Sequence, residues 1–418
     1  MKHKIETLVI GGGAIGICCA HYLQEQGREV MVVEKGDICS GASHGNAGLI
    51  VPSYSMPLAA PGVISKCLGW LADPESPFYI KPSLRPTLFH WLWKFRGACT
   101  MQHVHRSIPV LRDMTTESLR LFTGLAAGEN MDFGYEKRGL LELFRTPAGF
   151  EQGKNTFKLL QSYGIKADVL GNADLAQLIG GLKTYAVGAI FSHGDAFLIP
   201  DKFVKQMAKY AVGRGVRLAT QVEVIGFKKA GRRVTRVHTT RGDISVKEVV
   251  LAGGAWSSQI ARDLNIRLMI EPAKGYSITF RKPHHCPEIP CTLAEAYVVL
   301  TPMRDTVRFA GTLELAGFDQ SINLQRVKAV LKTVPRYFPD LDPNTMEVEE
   351  IWQGLRPCTP DGLPSIGRPH SCDNVMVAAG HGVLGISLAP ATGKLVSQLL
   401  TDETPFMDPR PLRIERFS

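Results

Sequence analysis

The thirty residues from Glu6 to Lys35, ETLVIGGGAIGICCAHYLQEQGREVMVVEK, constrain this chain more than any other stretch. A short apolar run, Leu8 to Ile10, reads as a buried strand and opens directly into glycines. Gly11, Gly13 and Gly16 fall on the G-x-G-x-x-G spacing, with Ala14 and Ile15 between the last two. A helical segment from Ile17 to Gln26 ends at Gly27, and a second apolar run, Val30 to Val33, closes on Glu34 and Lys35. The first glycine permits a tight turn, the second lets main chain approach a pyrophosphate, and the third lets the helix pack on the strand. The helix N-terminus offers unpaired N–H groups and partial positive charge to phosphates. Glu34 is placed to accept hydrogen bonds from a ribose diol. Strand, helix, second strand and acid in register predict dinucleotide binding. The motif itself leaves FAD and NAD both open.

At 418 residues the chain is long enough for two domains. No apolar run approaches the roughly 20 residues of a membrane-spanning helix. The first strand starts within a few residues of Met1, which leaves no room for a signal peptide. Nine cysteines, an odd number without a C-x-x-C pair, suggest reduced thiols and a cytoplasmic setting. His284, His285, Cys286 and Cys291 sit among prolines in PHHCPEIPC, which reads as a loop, so no metal site is expected. The net charge of +9 is spread along the chain. That balance favours an anionic substrate or an acidic membrane surface; nucleic acid is not expected, for want of a basic stripe with interleaved aromatics.

Asp37 to Gly62 is small, polar and glycine-rich, and reads as an extended loop lying against a ligand. Between Ile64 and Ala98 the character changes: Trp70, Phe78, Trp91, Trp93 and Phe95 stand among Lys66, Lys81, Arg85, Lys94 and Arg96. Rings and cations together suit either a membrane surface or an insertion capping an active site. Apolar residues every three or four positions predict helices at Val104–Ala126, Phe150–Tyr163, Asp201–Gly213 and Leu324–Phe338. Phe133 to Phe144 reads as strands turning at Lys137–Gly139. Short strands at Val216–Ala219, Val222–Phe227, Val234–Thr239 and Ile244–Val246 read as a meander. It leads into a buried strand at Val249 that ends on Gly253 and Gly254 before Trp256. Lys274–Phe280, Tyr297–Leu300 and Val307–Leu315 read as strands of a separate sheet.

The last seventy residues separate the two cofactors. Arg356 sits in a proline- and glycine-restrained setting, and a buried strand at Asn374–Ala379 runs into Gly380-His381-Gly382-Val383-Leu384-Gly385. Pro390 is tolerated mainly in a first helical turn, so a helix running to about Leu400 should begin near Gly385 to Ser387. Its N-terminus then points back at the glycine-rich turn, where it stabilises negative charge. A reduced flavin carries such charge at its N1–C2 edge, and a nicotinamide does not. An NAD-dependent dehydrogenase would leave this turn without a role.

With these residues the chain resembles the FAD-dependent D-amino acid oxidase family, and within it the bacterial D-amino acid dehydrogenases. The resemblance is collinear over nearly the whole chain. It rests on the Gly11–Gly16 turn with Glu34, Gly45-Asn46-Ala47-Gly48, Ala59–Gly62, Ala252–Trp256, Lys274–Ser277, Gly354–Gly362 and Gly380–Gly385. The Ala389–Gly393 run looks more like glycine oxidases and hydroxyproline dehydrogenases, and His44 departs from the pattern.

The resemblance implies an α/β fold: a Rossmann-type FAD-binding domain with a discontinuous, α+β substrate-binding domain built on an antiparallel sheet. The implied FAD-binding segments are 1–62, 195–272 and 350–418, and the substrate segments 63–194 and 273–349. FAD, held without a covalent link through Cys358, would contact Gly11, Gly13, Ala14, Ile15, Gly16, Glu34 and Lys35, then Ser43, His44, Gly45, Asn46, Ala47, Gly48 and Leu49. Further contacts would come from Val222, Gly253, Gly254, Trp256, Gly380, Gly382, Val383, Leu384 and Gly385. Arg356 would hold the carboxylate of a small amino acid or cyclic imino acid, with Tyr276 and His381 as further candidates at the substrate. Hydride would pass from Cα to flavin N5 and onward to a quinone or another electron-transfer acceptor. The expected location is cytoplasmic, with peripheral contact on the inner face of the cell membrane. Two other readings remain: an oxygen-using glycine or D-amino acid oxidase, and a flavoprotein subunit of an electron-transfer complex.

Overall fold

The computed structural model describes residues 4–71, 73–128 and 131–417. Residues 1–3 and 418, at the two ends of the expected FAD-binding segments, lie outside the described residues.

Two large sheets organise the molecule. The first is built on the buried strand Ile5–Ile10, which pairs in parallel with Val30–Val33 on one side and Gly242–Leu251 on the other. Arg217–Ala219 extends it beyond Val30–Val33, and Val375–Ala379 lies parallel to Gly242–Leu251. All-parallel strands buried on both faces are apolar throughout rather than alternating, and LVI and VMVV show that pattern. The helices Ala14–Glu25 and Gly385–Leu400 pack face to face beside this sheet. They come so close that a methyl on Gly393 would lie 2.6 Å from the main chain of Cys18.

The meander differs from the expected one in two respects, the first being that Arg217–Ala219 lies outside it, parallel to Val30–Val33 on the far side of Ile5–Ile10. Ile244–Val246 and the strand at Val249 are a single strand, Gly242–Leu251. Its first half pairs antiparallel with Arg233–Thr239, and its second half enters the parallel sheet. Alternation gives way to continuous burial where the partner changes, so one strand reads as two. No hairpin turns at Lys137–Gly139: Glu136 bridges to Phe197, and only Leu140–Phe144 is a strand.

The second sheet runs in the order Val348–Cys358, Glu271–Arg281, Thr306–Leu315, Val298–Met303, Cys291–Leu293, Leu140–Phe144, Gly188–Ser192, Asp168–Leu170. Its neighbours are antiparallel except Leu140–Phe144 against Cys291–Leu293, and Phe78–Ile80, which lies parallel to Thr306–Leu315. One face is filled by the core around Tyr276, Ile278, Phe280, Phe309 and Val330. The other face forms the floor of a cavity.

The long helix Met101–Ala127 includes Pro109. The stretch Gly382–Leu400 is apolar and long enough to cross a membrane, contrary to the sequence reading, but it is a core helix with most of its surface inside the protein. The helix starts at Gly385 as expected, and Pro390 falls in its second turn, where the next free N–H, that of Ala391, donates to Ser118 Oγ.

Candidate active site

A cavity of about 1470 Å³ runs from the glycine turn of the first sheet to the open face of the second. Sites for ordinary small ligands span roughly 300–1,000 Å³, so this one has room for an extended group and a substrate together.

At the first end the walls are main chain. Gly11 takes φ +117°, and a methyl there would lie 2.4 Å from the Ala252 carbonyl oxygen. Gly16 lies against the Gly11 carbonyl, so its role is to seat the helix on the strand. Gly13 differs from both: a methyl would meet only Ser43 Oγ, at 3.3 Å, because its backbone faces the cavity. Ser43 Oγ accepts from Ala14 N–H at 3.1 Å, which brings the Asp37–Gly62 loop to the helix N-terminus. The Glu34 carboxylate accepts from Gly12 N–H (2.7 Å) and Gly36 N–H (2.9 Å), so it ties two turns together while lining the cavity. The Lys35 ammonium lies 3.8 Å from the Trp256 ring centroid.

Of the residues expected to hold the cofactor, Ala14, Ile15, Gly45, Asn46, Ala47, Leu49, Val222, Gly253, Gly254, Gly382, Val383, Leu384 and Gly385 also line this space. Gly16, His44, Gly48 and Gly380 do not. His44 turns away to pair with Glu350 at 2.7 Å. Gly48 packs on the Leu198 carbonyl, and Gly380 packs on Thr359. A glycine turn, a helix N-terminus, an acid and a long continuous cleft fit a dinucleotide cofactor with its phosphates at Gly13.

At the second end the walls are side chains on one face of the sheet. Trp352, Gly354 and Arg356 alternate along Val348–Cys358, so all three point into the cavity. The guanidinium of Arg356 lies flat on Gly275, where a methyl would overlap it. Its Nη1 donates to the Thr312 carbonyl at 2.7 Å. A guanidinium carries five N–H donors, and among the described residues it makes that one hydrogen bond and pairs with no carboxylate. Burial lowers its pKa, yet arginine stays protonated. Thr312 is β-branched with φ +67°, a costly conformation. It sits at a bulge, where Lys274 and Tyr276 face Glu314 and Gly311, and this re-aims its carbonyl toward the arginine.

Two candidates border the cavity but commit their polar groups elsewhere. Tyr276 follows Gly275, so its ring faces the opposite side of the sheet, in the core. There its hydroxyl donates to Glu314 at 2.9 Å. The His381 ring is buried against Thr392 Oγ1 at 3.0 Å, and burial drives its pKa down to about 3. It is a neutral packing group, and its main chain is what meets the cleft.

Other residues escaped the sequence reading. Arg308 is buried and donates to the carbonyls of His44 and Asn46, which fixes the loop at the centre of the cavity. Trp352 covers Gly354 and presses on Gly45. Glu142, a lone acid in the apolar strand LLELF, also faces the cavity. Period-two alternation in the sequence carried a signal for Trp352 and Arg308. Placing Glu142 needs the register of five strands.

The aromatic stretch divides. Trp91 is 5% exposed, stacks on Phe95 and donates its indole N–H to the Cys358 carbonyl at 2.9 Å. Cys358 is buried in the same cluster, and burial pushes its thiol up to about 12, which disfavours the reactive thiolate. Trp93 is 70% exposed and Leu84 92%, with Phe89 and Leu68 also exposed. The helix Val63–Trp70 buries no residue fully and roofs the cavity with Val63, Ile64, Cys67 and Trp70.

The profile of the family described as FAD dependent oxidoreductase (DAO) matches residues 6–399. A protein named D-amino acid dehydrogenase from Granulibacter bethesdensis is 30% identical, over 99% of this chain and 100% of that one. Glycine oxidase from Geobacillus kaustophilus shares the fold with a TM-score of 0.81 and 22% identity, covering 99% of both chains. L-Proline dehydrogenase from P. horikoshii does so with a TM-score of 0.77 and 20% identity, over 100% of this chain and 98% of that one.

Proposed function

The chain belongs to the family of FAD-dependent oxidoreductases, and from that premise we propose that it oxidises the Cα–N bond of an amino acid whose carboxylate docks on Arg356. The observation that carries this reading is a half-buried guanidinium with no acidic partner among the described residues, facing the same cavity as the dinucleotide cradle. FAD, when bound, supplies the acceptor for the two electrons and the hydrogen leaving Cα.

The protein's own part is binding and orientation. Arg356 grips both carboxylate oxygens in a planar fork, and the Thr312 carbonyl and Gly275 fix the plane of that fork. The N–H groups at the start of Gly385–Leu400 favour negative charge in the adjoining cleft. The helix Val63–Trp70 lays Val63, Ile64, Cys67 and Trp70 over the cavity as its roof. With the Tyr276 hydroxyl bonded to Glu314 and the His381 ring to Thr392, no side chain among the described residues is placed as a base on the amine, so the substrate binds with its amine already neutral.

The substrate is D-configured or a cyclic imino acid, a reading supported by the name of the full-length relative. The electrons pass to a quinone at the cytoplasmic surface of a membrane. Exposed Leu84, Phe89 and Trp93 beside Lys94 and Arg96, which make no ion pair among the described residues, support membrane contact. Trp91 belongs to the core and takes no part.

The test is a screen of D- and L-amino acids, glycine, proline and hydroxyproline with an artificial acceptor, on the FAD-loaded protein. Turnover of none of them would sink the reading. Anionic liposomes should bind the protein at low salt and release it at high salt, with Trp93→Ala weakening the binding. Rapid peroxide formation without liposome binding would make it a soluble oxidase.

A further inference from the structure

Opposite Arg356, the same sheet face carries a second charge without a partner. In register across five strands lie Glu142, Thr292, Val299, Ala310 and Ser277, then Trp352. Residues paired in register point to one face, and Arg356 is four positions on from Trp352, so Glu142 and Arg356 face the same cavity.

Glu142 has no hydrogen bond or ion pair among the described residues, and it stands half-buried in the wall of the cavity. Its acidic neighbour Glu295 is satisfied: it accepts from Arg145 N–H, Thr146 N–H and the Tyr337 hydroxyl. Burial, and then the charge of Glu295, push the Glu142 carboxyl up to about 7. Among the described residues no cation pairs with it.

The spacing says which cation. Arg356 is tied to Thr312 on the strand Thr306–Leu315, three strand spacings across from Leu140–Phe144 and two residues along from the row of Glu142, or roughly 16 Å. With the carboxylate on Arg356, an α-amino group one bond from Cα falls well short of Glu142. A long side chain crosses the gap. Beside Glu142 the floor is Thr292, whose hydroxyl bonds that of Tyr54, and from there toward Arg356 it is Val299 and Ala310, an apolar track suited to methylenes.

We propose that Glu142 forms a subsite for a positively charged side chain, so that the preferred substrates end in an ammonium or guanidinium at lysine or arginine length. The proposal rests on the reading of Arg356 as the carboxylate anchor.

The experiment compares kcat/KM for lysine, arginine and norleucine, in D and L forms, with FAD-loaded wild type and Glu142→Gln and an artificial acceptor. Norleucine matches lysine in chain length without its charge. Losing one partner of an enclosed charge pair costs enough for a preference of roughly 30-fold or more. Lysine or arginine should therefore exceed norleucine by that factor in the wild type, and Glu142→Gln should bring the ratio close to one. A wild-type ratio near one, or a ratio that survives in the variant, overturns the subsite. Should the variant fail to fold, the wild-type ratio alone decides. Oxidation of norleucine without preference for lysine or arginine defeats only this inference. A flavin-loaded wild type that turns over no amino acid defeats the function itself.

Discussion

The two ends of the cavity solve the problem of recognition in opposite ways. The cofactor end is main chain: glycines at positions 11, 13 and 16, a helix N-terminus, and one acid already tied to two N–H groups. Its shape exists before any ligand arrives. The substrate end is side chain: among the described residues, a guanidinium with one hydrogen bond and a carboxylate with none, set across an open sheet. Its shape is also fixed, but its charges are not answered. The first end selects by fit and the second by charge, and only the second costs stability while it waits for its ligand.

The largest effect that can break this comparison is on the cofactor end. Gly13→Val places a side chain in the space meant for phosphates and against nothing else but Ser43 Oγ. The variant should fold, by circular dichroism, and purify colourless; a yellow Gly13→Val protein would show that main-chain shape does not set cofactor binding. Next comes the substrate end, where Arg356→Ala should keep its flavin. Two lost charge-assisted hydrogen bonds, at about 1.5–3 kcal/mol each, predict a drop of roughly 10²–10⁴ in kcat/KM. Lysine should rescue poorly, lacking the planar fork; near-normal kinetics in the alanine variant would remove the residue from the site.

The smallest effect measures the waiting cost. The Glu142 carboxyl is raised from an ordinary 4.5 to about 7 in the fold. The protonated form is therefore favoured, its contribution is complete below the unfolded value, and it is lost as pH rises through about 7. Without substrate, Glu142→Gln should be more stable than wild type at pH 8 by about 1–3 kcal/mol, with the gap closing toward pH 4.5. Thermal melts at the two pH values test this, and a pH-independent gap would mean that the carboxyl is not short of a partner.

The cofactor end is legible in the sequence because it depends on residue type at fixed spacing along one continuous segment. Gly13 and Glu34 can be named without knowing any other part of the chain. Arg356 is legible for a similar reason, being a cation among glycines and prolines. Tyr276 is misread because adjacency to Gly275 says nothing of which sheet face a ring takes. Trp91 and Trp93 are two positions apart on the helix Pro86–Ala98, and only the fold shows that one packs on Cys358 while the other meets solvent. Glu142 is conspicuous in LLELF, but its meaning lies in strands some 150 to 210 residues later in the chain.

The strand Gly242–Leu251 and its neighbour Val375–Ala379 have a consequence for how the chain is made. Once made, Ile5–Ile10 cannot complete its sheet until residues near 250 emerge, and the helix that packs on Ala14–Glu25 waits for residues 385–400. At roughly 5–20 residues per second, the wait is on the order of tens of seconds. Through that interval the nascent chain carries an apolar strand with an unpaired edge, the kind of segment that aggregates or recruits a chaperone. Removing the C-terminal sixth would therefore leave no smaller flavin-binding domain behind. It would strand the opening strand and helix without the partners that arrive last.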